Sequence, residues 1–174
     1  PTYEGCLIRM FQHALHWPSD PGEEGWVNEG LSEVARNITG YASNSSKQFM
    51  LAPSTSLTAW PSVGSTQPHY GAASLFIEYL AQHYGGHRSL GQLVSRPEDG
   101  GEGITAYLKS LGYGATFQAV FGDWVVANYL DLWEIEPYTY SGLDVAVPPS
   151  VTIDQSREHI GAGAQYSAEY IEVS

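Results

Sequence analysis

Hydrophobic residues recur with helical spacing through most of the chain. In residues 3–17, Leu7, Met10, Phe11 and Ala14 fall at i, i+3, i+4 and i+7, one face of a helix. Pro18 stops that element. Asp20-Pro21-Gly22-Glu23 then has helix-start chemistry, with Asp as N-cap, Pro at the first position and Glu at the third. A second helix carries Trp26, Leu31, Val34 and Ala35 and frays near Asn37. Residues 40–68 are rich in Ser, Thr, Pro and Gly without a clear period, and loops of that length are often functional or mobile. Residues 70–84 form the next helix, with a stripe of Ala73, Phe76, Ile77, Leu80 and Tyr84, closed by Gly85 and Gly86.

A short helix or turn over 90–94 follows. Another helix contains Ile104, Tyr107, Leu108 and Leu111 and ends at Gly112. Residues 116–133 are the most apolar helical stretch, with Phe117, Val120, Phe121, Trp124, Val125 and Leu132. Beyond Pro137 the period changes. Residues 143–147 alternate, Pro148 and Pro149 break the pattern, and Val151, Ile153 and 166–173 read as strands. Helices followed by a short β tail define an α+β chain, with a helical unit over 1–136 and a β-rich tail, or the start of a further domain, over 137–174.

Length and composition narrow the function. A chain of 174 residues is sized for one domain, and 43% hydrophobic with 13% aromatic residues is too apolar for intrinsic disorder. No apolar run reaches the roughly 18 residues of a membrane span. The formal net charge of -12 argues against general nucleic-acid binding, which depends on Lys and Arg at phosphates. Cys6 is the only cysteine, so there is no internal disulfide and no cysteine zinc cluster, and a small buried hydrophobe is its expected role.

The stretch that carries chemistry is Arg9-Met10-Phe11-Gln12-His13, followed by Trp26-Val27-Asn28-Glu29-Gly30. It resembles the gluzincin metallopeptidases, in particular the secreted bacterial, hyicolysin-like enzymes whose zinc helix reads H-E-F-Q-H and whose third ligand is a Glu on the next helix. Tyr70-Gly71-Ala72-Ala73 and Phe121-Gly122-Asp123-Trp124 are similar to the same group. The resemblance covers roughly residues 3–133. It implies the mainly helical lobe of a zincin-like metallopeptidase domain followed by C-terminal β strands. It also implies zinc as cofactor, secretion or cell-surface location, and His13 and Glu29 at metal-ligand positions. Tyr70 would take the place of the residue that stabilises the oxyanion. Family members carry a β-containing lobe before the zinc helix; none precedes Pro1, so the resemblance implies an N-terminal lobe of the same polypeptide that is missing here.

The motif works because residues i and i+4 stack on one helix face, where two imidazoles can share an ion. A carboxylate from the next helix completes three ligands, and water takes the fourth position. The Glu after the first His is the general base. Here Arg9 stands at the first ligand position and Met10 at the base. A guanidinium offers no lone pair and repels a dication, and a thioether accepts no proton at neutral pH. The expectation is an inactive metallopeptidase-like domain in a structural or protein-interaction role, with zinc absent or weakly bound and a protein or peptide as partner. Arg9 is expected to pair with Glu29, its charge standing in for the ion.

Two other readings stay open. One is an active secreted zinc peptidase, if residues 9 and 10 are misassigned or the site is repaired by other ligands. The other is a non-catalytic peptide- or glycan-binding domain. Cys6 lies about 10 Å from His13 along a helix, too far to share an ion easily, whereas His16 is within approach. His69, His83, His87 and His159 show no metal-ligand spacing.

Overall fold

The structure, a computed structural model, describes residues 2–132, 135–154, 156 and 158–174. Among the described residues, seven α-helices precede two short parallel strands, an α+β arrangement. The helices are α1 (Tyr3–His16), α2 (Gly25–Ile38), α3 (Ser45–Met50), α4 (Gln67–His83), α5 (Leu90–Val94), α6 (Gly100–Ser110) and α7 (Phe117–Leu130). A 3-10 turn, His87–Ser89, leads into α5. No helix among the described residues is long and apolar enough to cross a membrane.

The fold is organised around α4. It begins at Gln67, with Pro68 in the first turn, where a missing N–H costs nothing. Every residue from 71 to 81 is buried. The expected single stripe is therefore replaced by burial all round, because α2 and α3 pack along α4 and α7 crosses it. Trp26, Phe49, Phe76, Phe117 and Trp124 meet in the core as edge, tilted and stacked pairs, with ring centroids 5.4–5.6 Å apart. Gly30 lets α2 approach α4. A Cβ there would lie 2.7 Å from both Ala73 O and Ile77 Cγ1.

Four local expectations are corrected. The apolar face of α1 does not enter the core: Leu7, Met10, Phe11, Leu15 and Trp17 are all more than half exposed. The helix buries Gly5 and His16 and turns Arg9 and His13 toward α2. Cys6 is exposed beside Arg9 at the edge of a cleft rather than buried. The second helix begins at Gly25, not at Asp20, because the Asp20 side chain is taken by the Gly22 N–H and folds 20–24 into a turn. Within 40–68, α3 inserts Phe49 into the core; six residues are too few to show a period.

The tail lies against the helices. β1 (Val151–Ile153) pairs in parallel with β2 (Ile171–Val173), with Val151 opposite Ile171. Residues 143–147 are extended but form no strand, because their N–H groups bond to α7 and its cap: Val145 N to Asp131 Oδ2 at 3.1 Å and Val147 N to Asn128 O at 3.0 Å. Asp131, in the left-handed conformation with φ 35°, ends α7, and its carboxylate also receives Tyr140 N. The helical stretch expected over 116–133 ends at Leu130, and residue 133 lies outside the described residues. Tyr140, Val145, Val147 and Tyr170 are buried among the helices.

Candidate functional site

Residues 9 and 13 stack on the α1 face that meets α2, as their i, i+4 spacing requires. Glu29, one turn into α2, faces them. Arg9 Nη2 lies 2.7 Å from Glu29 Oε2, and His13 Nε2 lies 3.3 Å from the same oxygen. Ser32 Oγ donates to it as well, at 3.3 Å. His13 Nδ1 faces Asn28 Oδ1 at 3.3 Å.

Tyr70, in the first turn of α4, completes the group. Arg9 Nη2 donates to its hydroxyl at 2.9 Å, and the guanidinium carbon sits 4.6 Å from the ring centroid. Trp60 meets the Tyr70 ring edge-on at 4.8 Å. Burial works against the Arg9 charge, but the bonds to Tyr70 and Glu29 outweigh it and raise the pKa above the ordinary arginine value. Four of the five residues singled out from the sequence thus converge on one point. Met10 does not; it is 64% exposed on the outer face of α1. Arg9 and Tyr70 also line an open cleft of about 710 Å³, whose wall includes the buried Glu33–Arg36 pair at 2.8 Å.

This geometry does not fit a zinc ion at His13 and Glu29. The carboxylate oxygen a metal would use already carries the guanidinium. A dication placed there would face a fixed positive charge at bonding distance. With Met10 turned outward at the base position, the four residues form an ion-pair and hydrogen-bond cluster.

A second polar cluster lies one turn further along α1. His16, Asp20 and Glu23 are all buried, and their ligand atoms lie within 4.8 Å of one another, a group that can hold a metal ion. Burial, with Asp20 and Asp99 nearby, pushes the Glu23 carboxyl up to about 7, and burial lowers the His16 pKa against its bond to Asn28. By spacing alone His16 is only a neighbour of His13, and Asp20 and Glu23 fit a helix start. The available signal was H-x-x-x-D-x-x-E running off a helix end, with Pro18 turning the chain back. The other described histidines are each fixed to a carbonyl or carboxylate: His69 to Ser56 O, His83 to Thr139 O and Glu136, His87 to Glu78 and His159 to Glu169.

Comparison with known proteins adds no relative: no protein-family model matches the chain, and no curated protein matches it.

Proposed function

We propose that the chain is a metallopeptidase-like helical domain without peptidase activity, serving as a structural or protein-interaction module, secreted or at the cell surface. The observation that carries this reading is the Arg9–Glu29 pair at 2.7 Å, joined by His13 and Tyr70. It supplies a fixed cation where the gluzincin pattern has an ion and joins α1, α2 and α4 without metal. The residue at the general-base position points to solvent as Met10, so no proton acceptor stands in its place.

The exposed face of α1 supports the interaction role. Leu7, Met10, Phe11 and Leu15 form a continuous apolar strip that the described fold leaves uncovered, and such strips are commonly contact surfaces.

The test is a double reversion. Arg9→His with Met10→Glu rebuilds H-E-F-Q-H on α1, opposite an unchanged Glu29. The reverted chain should bind one more zinc per chain than the parent, measured by elemental mass spectrometry after dialysis. The parent should not cleave a peptide library with or without added zinc. Chelator-sensitive cleavage by the parent would overturn the reading.

A further inference from the structure

We infer that His16, Asp20 and Glu23 form a structural site for a divalent transition metal of the zinc class, separate from the Arg9–Glu29 cluster. Each side chain uses one polar atom to anchor itself and presents the other, unpartnered, to the same small space. His16 Nδ1 donates to Asn28 Oδ1 at 2.9 Å, an oxygen that only accepts, so Nε2 keeps its lone pair. Asp20 Oδ1 accepts the Gly22 N–H at 3.1 Å. Glu23 Oε1 accepts the N–H groups of Glu24 at 2.7 Å and Gly100 at 2.8 Å. The remaining atoms, His16 Nε2, Asp20 Oδ2 and Glu23 Oε2, are buried without any hydrogen-bond partner.

Three acceptors that converge within 4.8 Å in a site only 0–8% exposed repel one another unless a metal ion or a proton lies between them, and a single dication satisfies all three at once. Two carboxylates balance the charge of a dication. An imidazole ligand selects the zinc class over calcium or magnesium, which take all-oxygen shells. The anchoring bonds have the pattern that orients metal ligands, with the second imidazole nitrogen and the outer carboxylate oxygens all held.

The site joins three parts of the fold. His16 ends α1, Asp20 and Glu23 belong to the connector, and Glu23 reaches the first residue of α6. Asn28 links it to the first cluster, since the same Oδ1 faces both His13 and His16. Three protein ligands leave a fourth position for water, but at 0–8% exposure the ion is shut off from any substrate and acts as a staple between α1, the connector and α6.

The experiment uses the full chain, stripped with chelator and titrated with zinc sulfate. Bound metal is counted, and the melting temperature is read with and without zinc. One zinc per chain, lost in Glu23→Gln and in Asp20→Asn and kept in His13→Ala, is expected. Two zincs, one removed by His13→Ala and one by Glu23→Gln, would support this site while overturning the metal-free reading of Glu29. No bound zinc, or zinc lost in His13→Ala and kept in Glu23→Gln, would overturn the proposal. X-ray absorption of the zinc-loaded parent gives a check independent of variant folding: one imidazole with oxygen ligands is expected, and a shell with two imidazoles would contradict it.

Discussion

Replacing Arg9 by Met tests how much the ion pair holds together. The substitution keeps an apolar stem and deletes the charge, so Glu29 is left with His13 and Ser32 and Tyr70 loses its donor. The two charged side chains are 29% and 21% exposed, between a surface pair and a buried one. An exposed pair contributes about 0–1 kcal/mol, and breaking a fully buried one costs about 3–5 kcal/mol. A charge-assisted hydrogen bond is worth about 1.5–3 kcal/mol, and this guanidinium makes one such bond, a second to a phenol and a ring contact. A cost of about 2 kcal/mol follows, equivalent to a fall in Tm of roughly 4–8 °C in a chain of this size. Urea unfolding of the parent, Arg9→Met, Glu29→Gln and the double variant closes a thermodynamic cycle. Coupling of about 1 kcal/mol or more is expected between the two positions. A cost below about 0.5 kcal/mol with no coupling would refute the idea that Arg9 replaces a metal in joining the helices.

Other perturbations separate the remaining features. Zinc at a hundred times its Kd should stabilise the stripped parent by about 2.7 kcal/mol, a rise of roughly 5–11 °C in a melting scan, and should leave Glu23→Gln unmoved. Without zinc, Glu23→Gln should melt no lower than the parent, since its amide gives Asp20 Oδ2 or His16 Nε2 a donor; a large loss would mean that the carboxylate is needed for folding itself. Asn28→Ala should weaken zinc binding about 10–100-fold by freeing the His16 ring, as isothermal titration would show. Gly30→Ala drives a methyl against Ala73 O and Ile77 and should cost about 1–3 kcal/mol in urea unfolding. Leu7→Gln with Phe11→Gln should change Tm little and reduce binding of an apolar dye, because both side chains are more than half exposed.

Most of the helix order was legible from spacing because α2, α6 and α7 each bury an apolar set long enough to show a period, while α4, buried all round over 71–81, is a long apolar stretch bounded by Pro68 and Gly85. The Arg9–Glu29 meeting was legible through the gluzincin resemblance, which sets positions 9 and 29 at one metal; i, i+4 spacing alone puts Arg9 and His13 on one face without saying which carboxylate meets them. The orientation of α1 was not. Its apolar positions are correctly spaced for a helix, but spacing does not say which face a neighbour covers, and here the polar face carrying Arg9, His13 and His16 turns inward. The buried trio was hidden because Asp20 and Glu23 match a helix-start pattern, while the chain uses Asp20 to cap a tight turn and Glu23 to hold α6. Residues 143–147 alternate like a strand, yet α7 and its cap satisfy them in place of another strand.

The most direct measurement is the zinc content of two chains that both carry Glu23→Gln, which silences the buried trio. One has Arg9 and Met10 as they stand, and the other has Arg9→His with Met10→Glu. No zinc in the first and one per chain in the second is the expected result. Zinc in the first chain that disappears with His13→Ala would contradict the claim that Arg9 occupies the place of the metal.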